Sequence, residues 1–327
     1  MTSATRVLLF ALLMLAGCRS GAEPLWIGAN VKVSPSAPWG SEQAQASLRQ
    51  LAHTGATHAL LVAFVWQAAP ASNDPVLGSD SSVEQMRQAV RQAKAAGLRP
   101  VLKLHVWVPG HWAGEVAPAD AARWFEAYRN AILPLVRMAA QERVPALVLG
   151  TELRQLQDAP QWPQLVAAVR KVYQGQLIYV ADGLEHAASF RYWNLFDVVG
   201  VSLYPKLPDE PGARRVAMQD VAGQLRSLGQ QAHRPVWVAE LGLRSAVGSL
   251  AAPWESPEQR QAPVDTAIQT QVLLQWRDAL RAGGIDAIGI WCWYTDPNVG
   301  GPDDTDFTVQ NKPARAVFAP EGSKQRQ

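Results

Sequence analysis

The run Gln141-Glu142-Arg143-Val144-Pro145-Ala146-Leu147-Val148-Leu149-Gly150-Thr151-Glu152-Leu153 sets the grammar of the chain. A charged helix end gives way to Pro145, then to an apolar run, and that run ends on a carboxylate. A similar order returns in AAGLRPVLKL (95–104), QAHRPVWVA (231–239) and RAGGIDAIGI (281–290). Gly or Pro punctuates each passage from an amphipathic segment into a strand. The apolar runs HALLVAFVW (58–66) and FDVVGVSLY (196–204) do not alternate with polar residues. Strands of that kind are buried on both faces, as in a parallel sheet covered by helices.

Extended along the chain, this grammar predicts strands over 26–33, 59–66, 100–106, 146–151, 177–181, 198–203, 236–240 and 287–293. Helical patterns fall between them at 41–54, 81–97, 119–142, 161–173, 186–194, 215–230 and 264–283, with a short closing helix near 312–318. Alternating strands and helices in this number make a single closed (β/α)8 TIM barrel over 26–319. No G-x-G-x-x-G follows the first strand, so the dinucleotide-binding fingerprint is missing. Residues 67–80, 205–213 and 244–263 read as loops, and 320–327 as a tail.

The first residues, MTSATRVLLFALLMLAGCRS, stand outside that pattern. Arg6, an apolar run over 7–16 and the small residue Gly17 read as a signal peptide over 1–17, too short to span a bilayer. Leu15-Ala16-Gly17-Cys18 resembles a bacterial lipobox. On that reading Cys18 carries the lipid, 18–25 is a tether, and the protein is secreted and membrane-anchored, on the outer membrane in a Gram-negative cell. A monomer is the default for such an anchored protein. A formal charge of +2 without basic runs gives no reason to expect a nucleic-acid partner. Cys292, the other cysteine, lies in an apolar strand and reads as a buried small hydrophobe.

A barrel of this type carries its site at the C-terminal ends of its strands. The polar and aromatic residues there are Asn30, Lys32, Trp66, Lys103, His105, Glu152, Asp182, Tyr204, Glu240 and Trp293. Glu152 and Glu240 finish strands four and seven, which face each other across the mouth. Each stands at the end of an apolar run, where an unpaired charge is costly. Taken singly, either is equally well explained by a salt bridge to Lys103 or Arg244. Together they make the pair that glycoside cleavage requires, an acid for the leaving oxygen and a carboxylate for the anomeric carbon. Tyr204 and His105 are candidate hydrogen-bond donors to them.

Thirteen tryptophans supply flat apolar surface of the kind a sugar's C–H face stacks on. Trp66, Trp107, Trp112 and Trp293 fall at strand ends or just beyond, and Trp293 is the expected floor under the sugar being cleaved. Trp124, Trp162, Trp193 and Trp276 lie on helical patterns, while Trp26, Trp237 and Trp291 read as packing in the barrel wall. No metal or cofactor is expected: the six His are scattered, and His105, His111 and Glu115 have loop-like spacing. No G-x-S-x-G elbow is present.

Several words in register are similar to glycoside hydrolase family 113, whose known members include endo-β-1,4-mannanases. They are Lys103-Leu104-His105-Val106, Gly150-Thr151-Glu152-Leu153, Val201 to Tyr204, Ala239-Glu240-Leu241-Gly242, Trp291-Cys292-Trp293 and Gln310-Asn311-Lys312-Pro313-Ala314. The resemblance implies a retaining endo-hydrolase of a β-linked polysaccharide such as mannan, with Glu152 as acid/base and Glu240 as nucleophile. Clan A relatives usually carry Asn before the acid/base; Thr151 in its place resembles family 113 itself. Ala181-Asp182-Gly183 stands where family members tend to show Asn-Trp, so the sugar preference is open along Asp182. The alternatives are a hydrolase of another β-glycan or exopolysaccharide, and a catalytically silent glycan-binding lipoprotein.

Overall fold

The computed structural model describes residues 26–285 and 287–320; the predicted signal peptide, Cys18, its tether and the tail from 321 lie outside them. The barrel strands are β1 (Trp26–Lys32), β2 (His58–Trp66), β3 (Arg99–Trp107), β4 (Ala146–Thr151), β5 (Gln176–Asp182), β6 (Val198–Leu203), β7 (Val236–Leu241) and β8 (Ala287–Tyr294). Each pairs in parallel with its sequence neighbours, and β1 pairs with both β2 and β8, closing the sheet into a (β/α)8 barrel. Helices α1 (Glu42–His53), α2 (Val83–Ala95), α3 (Ala121–Gln141), α4 (Trp162–Arg170), α5 (Gly183–Ser189), α6 (Pro211–Ala232) and α7 (Thr266–Ala282) fill the connections. A 3-10 turn over Pro313–Phe318 stands where the closing helix was expected. The predicted helix 186–194 is instead α5 followed by a 3-10 turn at Trp193–Leu195. No described helix is long and apolar enough to cross a membrane.

Local chemistry fixes the helix starts. Ser41, Asp120 and Asp265 each accept a hydrogen bond from a backbone N–H in the first turn of α1, α3 and α7, satisfying donors the helix cannot pair itself. The buried faces of the helices meet the outer face of the barrel in one continuous apolar layer.

A second layer fills the barrel interior, with Leu60, Val101, Val148, Ile178, Val180, Val198 and Ala239 among its members. At the N-terminal end Trp26 stacks on His58 at 4.5 Å and meets Trp237 edge-on at 4.9 Å, so aromatic rings plug that end. Burial lowers the His58 pKa to about 4, so this plug is uncharged. Trp26 and Trp237 thus have the packing role expected of them, but inside the barrel and not in its wall.

Four register shifts lie near the mouth. Between β4 and β5 the pairing skips Leu149; between β6 and β7 it skips Ala239; between β7 and β8 it passes from Val238–Ile288 to Leu241–Ile290; between β1 and β8 it skips Cys292. Each such bulge reverses which face the following side chains point to. Trp237 and Ala239 both lie inside the barrel, so strict alternation would turn Glu240 outward. The shift instead sets Glu240 beside Ser202, and its carboxylate enters the mouth.

Candidate active site

Glu240 is 3% exposed and is held from several sides. The Lys103 ammonium, on β3, bonds its Oε1 and also donates to Asn30 Oδ1 at 2.7 Å. Asn30 in turn donates to the carbonyl of Ala239 at 2.9 Å, so the backbone carrying the carboxylate is pinned by the same network. Tyr204 OH donates to the other oxygen, Oε2, at 3.3 Å, and His105 Nδ1 stands 3.8 Å from Oε1. Burial pushes the Lys103 pKa down, opposed by the Glu240 charge in contact with it. His105 is held neutral, its pKa lowered to about 4 by burial. Burial and the Glu240 charge raise Tyr204 well above its ordinary range, so it remains a donor.

Glu152 is also buried, and among the described residues no cation is in contact with it. It follows β4 in a left-handed conformation, φ 54°, with its N–H donating to the Val180 carbonyl at 2.8 Å. Non-glycine residues rarely adopt this conformation, and at a site it commits the side chain to one direction. Trp112 Nε1 donates to Glu152 Oε2 at 2.6 Å. The Trp112 ring lies against Gly114, where any Cβ would overlap it. Burial raises the Glu152 pKa to about 7, with Glu240 adding repulsion and the Ser202 and Trp112 donors opposing. Thr151 donates to the Leu104 carbonyl at 3.2 Å, tying the end of β4 to β3. The two carboxyl groups therefore sit in unlike surroundings, one beside an ammonium and the other with only neutral donors. That is the division an acid and an ionised carboxylate require.

Other expected residues divide by exposure. Trp66 and Trp112 are 38% exposed at the rim. Asp182 ends β5, half-buried with its pKa raised by burial, 3.5 Å from His186 Nδ1. Lys103 and Asn30 were expected to touch substrate; both are completely buried, so they support Glu240 from behind. Trp293 corrects the sequence reading most plainly. It is buried, donates to Ser47 Oγ of α1 at 2.8 Å and meets Phe318 edge-on, outside the barrel. The shift at Cys292 is the cause: Trp291 keeps the inward side and Trp293 is turned out. Trp291, expected in the wall, instead lies with its ring 5.0 Å from Lys103 Nζ, 5.3 Å from Lys32 Nζ and 6.0 Å from His105. Trp291 and Ser202 are the site residues that sequence reasoning missed. Only the family-like words containing them pointed their way.

Arg244 bonds the carbonyls of Ser256, Arg260 and Thr305, bracing the loop after β7, and reaches neither glutamate. Cys292 is fully buried, its pKa raised to about 12 by that burial. His111 pairs with Glu115 at 2.7 Å in an exposed turn. Among the described residues no three His, Cys, Asp or Glu side chains gather as a metal site.

Comparison with known proteins agrees with this geometry. The model of glycoside hydrolase family 113 matches residues 31–312. The fold is similar to that of a family 113 β-mannanase from Alicyclobacillus acidocaldarius, at 20% identity and a TM-score of 0.77 over 90% of this chain and 96% of that one. A second family 113 β-1,4-mannanase gives 21% identity and a TM-score of 0.78 with the same coverage. Fungal β-1,4-galactanases follow at 17% and 0.58, over 90% of this chain and 99% of theirs. No protein with a curated description matches the sequence. At these identities the solved structures speak for the barrel, and the family match speaks for the chemistry: the chain belongs to glycoside hydrolase family 113 and is a glycoside hydrolase.

Proposed function

We propose that the protein cleaves a β-1,4-mannan, or a closely related β-linked polysaccharide, with retention of configuration. Glu152 gives its proton to the glycosidic oxygen as Glu240 attacks the anomeric carbon, releasing the leaving chain and forming a glycosyl ester. Glu152, now ionised, takes a proton from water as the water attacks the same carbon and frees Glu240. The observation that carries this reading is the asymmetry of the carboxyls. Glu152, with its pKa near 7, holds a proton at mildly acid pH, while Glu240 has an ammonium on one oxygen and a phenol on the other. Trp291 supplies an apolar face beside Glu240 for the sugar being cleaved. The mannanase activity named for the similar structures supports mannan as the substrate.

Reducing-sugar release from mannan, glucomannan, β-glucan and xylan tests the substrate. Proton NMR of the first product tests the stereochemistry. A β-anomer formed first supports the double displacement; an α-anomer formed first overturns it. Glu240→Gln and Glu152→Gln are expected to lose nearly all activity on natural polymer, and wild-type rates in either would remove that residue from its role. The Leu15-Ala16-Gly17-Cys18 word supports secretion and lipid anchoring through Cys18, with the enzyme acting as a monomer on polymer outside the cytoplasm. Metabolic labelling with a palmitate analogue, lost in Cys18→Ser, tests the anchor.

A further inference from the structure

Strands β2 and β3 are nine residues long, whereas β4, β6 and β7 have six. Both run past the catalytic level and stay paired there. Phe64 is in register with His105, and Trp66 with Trp107. Inward side chains recur every second residue, so Lys103, His105 and Trp107 share one face of β3. Phe64 and Trp66 occupy the same face of β2. The first member of that row bonds Glu240. Trp107 lies four residues beyond it, about 13 Å along the strand.

The ring contacts make this row continuous. His105 Nδ1 is 3.8 Å from Glu240 Oε1. Phe64 meets His105 at 5.8 Å and Trp107 at 5.6 Å, and Trp107 meets Trp66 at 6.2 Å with planes 62° apart. The far end is braced. Val76–Leu77 pairs antiparallel with Val65 and Trp66, and Gln67 N–H donates to the Trp107 carbonyl at 2.9 Å. The Trp66 indole lies directly against Gly78, where a Cβ would overlap it. Despite this bracing, Trp66 and Trp107 remain 38% and 41% exposed. Two large apolar rings held rigidly in water at the rim of a cleft are a binding surface awaiting a ligand.

We infer that Trp66 and Trp107 form a stacking platform for a pyranose unit of the substrate chain beyond the unit held at Glu152 and Glu240. This rests on the reading that the cleft takes a β-linked glycan. The occupant follows from continuity: the platform extends the row of side chains that starts at the nucleophile, and a polymer lying along that row passes over it. The platform makes the enzyme prefer long chains, because a short substrate filling only the catalytic position cannot reach Trp107.

Retardation in native gels cast with glucomannan, using the full chain in a Glu240→Gln background, reads binding without turnover. Trp66→Ala and Trp107→Ala are each expected to weaken association by about threefold to tenfold, the range of one lost ring contact. The corresponding Phe variants should recover part of it. Retardation unchanged by either Ala substitution overturns the platform. Wild-type cleavage of the same polymer separates the two ideas. Polymer that is cut, with tryptophan-independent retardation, removes the platform alone. Polymer neither cut nor retarding removes both the platform and the substrate reading. With an otherwise active wild type, the fall in kcat/KM on long mannan should exceed that on an aryl mannoside; equal falls also overturn it.

Discussion

Glu152→Gln provides a test of the proposed acid that needs no substrate. The buried carboxyl has a pKa near 7 in the folded chain, against an ordinary value of 4.5. Between those values the folded protein keeps the proton while the unfolded chain has released it. The protonated form therefore contributes stability that is complete below pH 4.5 and is lost as the pH rises through 7. A gap of about 2.5 pH units corresponds to roughly 3 kcal/mol. Glutamine at 152 fills the same space and does not titrate. The stability of the variant relative to wild type should thus rise by roughly 3 kcal/mol between pH 4.5 and pH 8. Urea unfolding followed by tryptophan fluorescence at a series of pH values measures this directly. The slope with urea should match between the two proteins, since the same surface is exposed. A stability difference that stays flat across the range refutes the raised pKa and, with it, the electrostatic basis for Glu152 as the acid.

Trp112→Phe keeps an aromatic cover over Glu152 but removes a donor that favours its ionised form. The alkaline limb of the kcat/KM profile should move upward by about one pH unit; no movement, or a downward one, discounts that bond. Lys103→Met leaves the Glu240 anion buried without its cation, a loss of about 3–5 kcal/mol that appears as a lower urea midpoint. Adding Glu240→Gln should restore most of it, and a double variant as unstable as Lys103→Met alone would show that the lysine serves something else. Trp293→Ala should cost about 3–5 kcal/mol of stability through the cavity it leaves. Trp291→Ala should mainly lower kcat/KM, and the reverse pattern would contradict the facing assigned to these two rings.

The barrel was legible because its strands are buried on both faces and all but β6 begin within a few residues of a Gly or Pro break. Predicted and observed strands agree to within two residues at either end. The positions of Glu152 and Glu240 at facing strand ends were legible for the same reason. Facing was not. Alternation along Ala287, Gly289 and Trp291 carries Trp293 to the inside, and only the shift at Cys292 sends it out. Glu240 is the opposite case: alternation from Trp237 and Ala239 would have sent it outward. Bulges depend on how two strands meet, so neither strand's composition announces them. Exposure was hidden as well. Asn30 and Lys103 look like binding groups by type, yet the polar partners that bury them come from β7 and β8, more than a hundred residues away.

The aromatic plug under the barrel gives the molecule a direction. All eight strands run the same way, so Trp26 enters at the sealed end and the glutamates stand at the open one. Eight residue steps separate Cys18 from Trp26, a span of at most about 29 Å. An attachment made at Cys18, as proposed, would meet the barrel at this sealed end, on the side away from the glutamates. A stiff polymer can then be drawn across the opening without first being threaded between protein and lipid.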